Sequence, residues 1–311
     1  MINSVRNTVL SILNKNNYGY MPPSDFNLFS KQAQLEIFDE YFSRYNRSIN
    51  LENARQSGDG YADIKKANEE AIDVFSETKY LRQSGNNKFF LPSITTTGDD
   101  FYMINTVICY TSVLSEGSAT STVAGSIADT SADFVTDGVK VGDIISNTTD
   151  KLTTIVTGLT SDTQLAVEDD IFASGDSYVI HSQSVYKEAE KTSQKDIRLL
   201  NISLLTSPSN SFPAYTQEAS LMTVYPSTIN EQGAVLAQYL RYPKDPKWTY
   251  ISLDRGEPVF NPSAADYQDF ELPIEDEPLL VTKILQYAGL SIREPQVVNY
   301  GAQEEIKDMQ K

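Results

Sequence analysis

The apolar residues of this chain keep helical spacing through its first eighty positions and lose it at Phe89, so one fold must hold both helices and strands. Ile2, Val5, Val9, Ile12 and Leu13 recur at helix spacing, and Gly19 closes that segment. Pro22-Pro23-Ser24-Asp25 supplies a turn and caps for a second helix, whose stripe is Phe26, Phe29, Ala33, Ile37, Tyr41 and Tyr45. After a glycine-rich break at 57–60, Ile64, Ala67, Ala71, Ile72 and Phe75 predict a third. Such stripes can bury one another or meet a neighbouring subunit, and spacing does not separate the two uses.

From Phe89 onward, aromatic and branched runs between turn signals read as strands. They fall at 89–92, 100–107, 212–215, 221–226 and 234–241. Residues 185–200 read as helical, and 279–289 as an apolar helix ended by Gly289. The stretch 242–250, with Pro243 and Pro246, is too proline-rich for a central strand. Residues 117–181 stand apart, dominated by Ser, Thr, Asp, Gly and Val. Their short strand signals at 139–141, 143–146, 152–156, 164–167 and 178–180 predict a small β-barrel or sandwich.

The expectation is an α+β protein with more than one domain. It has a helical region at 1–80 and a β-rich, sandwich-like mixed core built from 81–116 plus 182–290. An all-β module is inserted at 117–181, and a C-terminal helix leads into an extended tail at 291–311. Within that tail Val298, Ala302, Ile306 and Met309 fall at helix spacing, a stripe that frays unless something docks it.

Charge narrows the partners. The net charge is −17, and ten acidic residues against Lys140 and Lys151 put −8 of it in the 117–181 block. A chain this acidic repels phosphate backbones and anionic lipid. No run approaches the roughly 18 apolar residues that span a bilayer, and the start does not read as a secretory leader. A soluble chain made in a cytoplasm, with no membrane partner, is the expectation. The 18 tyrosines fit either half-buried strands or meeting surfaces.

Catalytic patterns are scarce. The single histidine, His181, sits on a strand signal, and the single cysteine, Cys109, sits in an apolar run. One of each cannot build a typical zinc shell, and no phosphate-binding glycine loop is present. Asp169, Asp170 and Asp176 offer at most an adventitious calcium site, and Asn147-Thr148-Thr149 matches a glycosylation pattern. No catalytic, cofactor or metal site is expected.

Four passages carry a resemblance. They are Asn14-Lys15 through Gly19-Tyr20, Pro22-Pro23-Ser24-Asp25-Phe26-Asn27 and Ala33-Gln34-Leu35-Glu36-Ile37-Phe38; the run from Ser207-Pro208 through Pro213-Ala214-Tyr215, Val224-Tyr225-Pro226 and Tyr239-Leu240-Arg241-Tyr242-Pro243 to Pro246-Lys247-Trp248-Thr249-Tyr250; Asp269-Phe270-Glu271-Leu272-Pro273 with Ile284-Leu285-Gln286-Tyr287-Ala288-Gly289; and Glu294-Pro295-Gln296-Val297-Val298. In this order they resemble phage virion structural proteins, especially the neck or tail-barrel ring proteins of crAss-like phages and related podoviruses. The resemblance covers the chain outside 117–181. It implies a non-enzymatic head-to-tail connector subunit of the virion, ring-forming in about twelve copies. Its implied partners are a portal protein, other neck and tail ring proteins, and genomic DNA passing through the lumen without sequence-specific binding. Phe26, Phe29, Ile37, Tyr41, Val298, Ala302, Ile306 and Met309 are the expected inter-subunit contacts. The alternative is a tail receptor-binding or adhesion protein with 117–181 as its binding head.

Overall fold

Helical spacing does become helix. The structure, a computed structural model, describes residues 1–13, 21–54, 62–253, 256 and 258–292. The chain divides into two units, residues 1–75 with 243–311 and residues 76–242. In the first, α1 (Ile2–Leu13), α2 (Pro23–Ala54) and α3 (Ala62–Asp73) come from the N-terminal part. Pro23 opens α2 where a missing N–H is no loss, and the amides of Asp25 and Phe26 donate to the Pro22 carbonyl at 3.1 Å. One face of α2 buries Phe26, Ala33, Ile37, Phe38 and Tyr41 in the same cluster as Val5 and Val9 of α1. The stripe is used inside the chain.

The second unit is made of strands. Its sandwich begins with β1 (Ser76–Tyr80), β2 (Gln83–Gly85), β3 (Lys88–Phe90) and β4 (Phe101–Tyr110). The 117–181 block follows as β5 (Val113–Ser118), β6 (Ser121–Val123), β7 (Ser126–Ala128), β8 (Ile144–Asn147), β9 (Leu152–Ser161), β10 (Gln164–Val167) and β11 (Ser177–His181). These seven form one sheet in the order β5-β11-β8-β9-β10-β7-β6. The entering and leaving strands, β5 and β11, pair antiparallel, so the chain returns beside its point of entry. Ile127, Phe134, Ile145, Val156, Leu165 and Ile180 are all buried in the cluster this sheet encloses.

The sandwich then resumes with β12 (Tyr186–Glu188), β13 (Glu190–Lys191), α4 (Gln194–Leu200), β14 (Ala214–Gln217), β15 (Leu221–Tyr225) and β16 (Val235–Arg241). One sheet runs β1-β16-β4-β12 and the other β13-β14-β15-β3-β2. Val107, Cys109 and Tyr239 from the first meet Phe89, Tyr215, Met222 and Val224 from the second in one buried cluster. The architecture is thus mixed α+β with a β-rich core. Polar ties join the 117–181 sheet to this sandwich: Lys151 Nζ donates to Gln83 Oε1 at 2.6 Å, and Gln232 Nε2 to Thr153 Oγ1 at 3.0 Å. Gly233 turns beside them with φ +81°, where a side chain would run into Ser146.

Beyond Tyr242 the chain returns to the first unit through β17 (Tyr250–Ser252), β18 (Pro258–Phe260) and α5 (Glu277–Ile292). Trp248 sits in the first unit's core. Its backbone exchanges hydrogen bonds with the Asn27 side chain at 2.9 and 3.2 Å, Nε1 donates to Asn3 Oδ1 at 3.1 Å, and the Arg6 guanidinium lies 3.8 Å over its ring. The Pro22–Asn27 and Pro246–Tyr250 passages quoted for the resemblance therefore meet at one hydrogen-bonded pair.

Several expectations need correcting. Residues 243–290 fall in the unit of the N-terminal helices, not in the β core, because the apolar face of α5 (Leu280, Ile284, Leu285) is buried in the helical cluster. Residues 186–188 and 190–191 are strand, not helix: Tyr186, Lys187 and Glu188 pair with Tyr110, Cys109 and Ile108 on the free side of β4, and Glu190 and Lys191 pair with β14. Only 194–200 is helical. Residues 139–141 are not a strand, although Val139 is buried, and α5 runs through Gly289 to Ile292.

Candidate interaction surface

The single cysteine and the single histidine are both buried. Cys109 is buried in the sandwich, and desolvation pushes its thiol up to about 12, so it stays protonated. His181 is 1% exposed; desolvation lowers its imidazole to about 4, and its Nδ1 has no hydrogen-bond partner. Two of the acidic residues weighed as calcium ligands accept hydrogen bonds from within the 117–181 block. Asp176 Oδ2 accepts from Asn147 Nδ2 and Ala173 N at 2.8 Å, and Asp169 Oδ2 accepts from Thr154 Oγ1 at 3.2 Å. Asn147 is fully buried, and its Oδ1 accepts from the amides of Thr149 and Asp150 at 2.9 and 3.1 Å, so it is no glycan acceptor. Among the described residues, no three His, Cys, Asp or Glu side chains converge to hold a metal. No described helix is long and apolar enough to cross a membrane.

What the second unit does present is uncovered apolar surface. Parallel pairing of β13 with β14 requires a crossover, and α4 makes it. Ser193 caps α4, its Oγ accepting from the Asp196 amide at 3.1 Å, and Ile197 is buried. The return from α4 to β14 is different in character. Leu199, Ile202, Leu204, Leu205 and Phe212 are 58, 80, 102, 95 and 81% exposed. The segment is held by hydrogen bonds: Thr206 Oγ1 donates to the Leu200 carbonyl at 3.0 Å, and Thr228 Oγ1 to Asn210 Oδ1 at 2.7 Å. From 201 to 217 there is no charged residue in a chain whose charged fraction is 22%. Interface centres share these two features, depletion of charge and exposed large apolar side chains.

Two clefts open on the same unit. One, of about 610 Å³, is lined by Phe90, Leu91, Pro92, Phe101, Ser220 and Tyr242, with Arg82 and Asp100 at its polar side. Tyr102 packs edge-on to Tyr242 at 5.3 Å beside it. The other, of about 430 Å³, has Tyr110, Tyr186, Lys140 and Asp143 among its walls. Asp143 is buried there and accepts from the amides of Lys140 and Gln183 at 2.8 and 3.0 Å, so its carboxylate shapes the wall.

Of the residues expected to contact other subunits, four fall among the described residues. Phe26, Ile37 and Tyr41 lie in the first unit's own core. Tyr41 Oη donates to Asp276 Oδ2 at 2.5 Å, and burial with that carboxylate raises its pKa. Phe29 is half-buried and stacks on Tyr287 of α5 at 6.1 Å. Val298, Ala302, Ile306 and Met309 lie outside the described residues. The apolar segment at 199–212 escaped the periodicity reading because it has no period. Its signal was the charge-free run. Compared with known protein families and with curated proteins, the chain matches none.

Proposed function

We propose that this chain is a structural subunit of a phage particle, assembling with copies of itself into a ring at the neck or tail between portal and tail. The observation that carries the reading is the charge-free apolar surface at 199–212 on a chain of net charge −17. Exposed leucines at this density need a protein cover, and a subunit that must meet many identical neighbours provides one. The buried, electrically silent Cys109 and His181 support a role through shape and contact rather than through bond chemistry. The acidic balance supports a lumen along which DNA slides without adhering.

The test is the mass of the purified chain in solution, followed by electron microscopy of any large species. Closed rings of about a dozen copies are the expected result. A stable trimer counts against the ring and favours adhesion, with the 117–181 module as the binding head.

A further inference from the structure

Resting on that ring reading for the repeat, we infer that the subunit–subunit contact is a plug and socket: the 199–212 loop of one copy enters the cleft between Phe90 and Tyr242 of the next. Both parts belong to the same unit, and both are placed by the β14–β15 hairpin. Phe212 lies just before β14 starts, whereas Ser220, in the cleft wall, follows its end. Four residues of strand separate them by roughly 13 Å. The helix confirms the direction. Gln194, at the start of α4, donates to Glu218 at the hairpin end at 3.3 Å, and the loop after α4 is tied by Asn210 to Thr228 beyond the far end of β15. Plug and socket therefore sit at opposite ends of one hairpin, and the loop's leucines stand exposed rather than in their own copy's cleft. A contact between unlike surfaces of identical molecules is heterologous, and it closes into a ring when the rotation permits.

Size and charge agree. A cleft of about 610 Å³ accepts roughly four leucine-sized side chains, taking the ~150 Å³ emptied by truncating one such residue as the measure. The exposed side chains of the loop offer several hundred Å² of apolar area, the larger part of the roughly 800 Å² that each partner gives to a standard interface. Copies with a net charge of −17 repel one another on average. The loop carries no charge and the cleft lining one of each sign, Arg82 and Asp100, so this pairing meets little of that repulsion.

The test uses the full chain in three forms: wild type, a plug variant (Leu204→Asp with Leu205→Asp), and a socket variant (Ala219→Arg with Ser220→Arg). All substitutions are at exposed positions, and circular dichroism checks that the fold is kept. Native mass spectrometry should show each variant alone as a monomer, with association weakened by at least about 100-fold. Mixed together, each variant retains one working face, so the mixture should give one-to-one dimers and nothing larger. Normal assembly by either variant alone, or no dimer from the mixture, overturns the plug and socket while leaving a ring possible through other surfaces. A wild-type chain that remains monomeric at millimolar concentration, where even weak contacts of about −4 kcal/mol register, overturns both readings. Should that monomer instead float with phosphatidylcholine vesicles, and the plug variant not, the loop's partner is lipid and the inference falls.

Discussion

Two segments of the second unit are rich in Ser and Thr, yet they solve opposite problems. The module at 117–181 closes on itself. Its apolar side chains, from Ile127 to Ile180, form a cluster of their own, and buried polar groups pair within it, as where Tyr178 Oη donates to Asp129 Oδ2 at 2.9 Å; the Nδ1 of His181 is the exception. The loop at 199–212 leaves its leucines almost fully exposed. The module is the conspicuous part of the sequence, and the loop is easily overlooked. An unusual composition that completes its own core asks nothing of a partner, whereas an ordinary one that leaves apolar groups uncovered does. Function is better sought in what a fold leaves unfinished.

If the module is self-sufficient, its core must carry a large share of its stability. Phe134 is fully buried and lies 5.9 Å from the Tyr178 ring. Phe134→Ala should cost about 3–5 kcal/mol, seen as faster amide exchange across 117–181 and a lower urea midpoint. A loss below about 1 kcal/mol would mean that the module is held mainly by its neighbours. The next largest effect belongs to Asn147, whose amide group bonds the Ile171 carbonyl, Asp176 and the turn at 149–150. Asn147→Ala removes all of these hydrogen bonds at once and should cost about 2–3 kcal/mol, with the exchange increase centred on 147–150 and 171–176.

Helices in the first unit were legible because a stripe at 3.6-residue spacing has one physical meaning on a chain with a core to cover. Strand boundaries were less so. Ala189, Lys187 and Glu188 suit a helix locally, but the free side of β4 offered a ladder of hydrogen bonds, and pairing with Cys109 and Ile108 outweighed propensity. Val139-Lys140-Val141 read as a short strand from its branched residues, but Val139 is buried from irregular backbone between two turns. The cleft was invisible for a different reason. Its walls come from 82–101, 219–220 and 242, and only the pairing of β15 with β3 brings Leu221 opposite Phe90. The loop could have been noticed, since absence of charge over 201–217 needs no topology to detect.

His181, at the end of the strand that closes the module, makes its stability depend on pH. Its imidazole falls from an ordinary 6.5 to about 4 because burial disfavours the cation. The unfolded chain therefore binds a proton at higher pH than the folded one. Stability is intact above pH 6.5 and drains away as pH falls toward 4. Between pH 7 and pH 5 this group alone should cost about 2 kcal/mol, at about 1.4 kcal/mol per pH unit below 6.5. Comparing wild type with His181→Phe by urea unfolding at both pH values isolates it. The variant should lose less stability on acidification, and equal losses would place the titrating group elsewhere.

The smallest expected effect is the most informative about the loop. Exposed side chains that touch nothing in their own copy contribute little to its folding, so Leu204→Asp with Leu205→Asp should change the unfolding free energy of the isolated subunit by no more than about 0.5 kcal/mol. The two positions are 102 and 95% exposed, and their replacement adds negative charge to a stretch that has none. Urea unfolding at a concentration where the wild type is monomeric measures this directly. A large loss would mean that the leucines pack within the subunit in solution, and the contrast with the module would collapse. Near-neutrality, set beside the 3–5 kcal/mol expected at Phe134, would place the two segments on opposite sides of one division: side chains that hold a subunit together, and side chains reserved for the next.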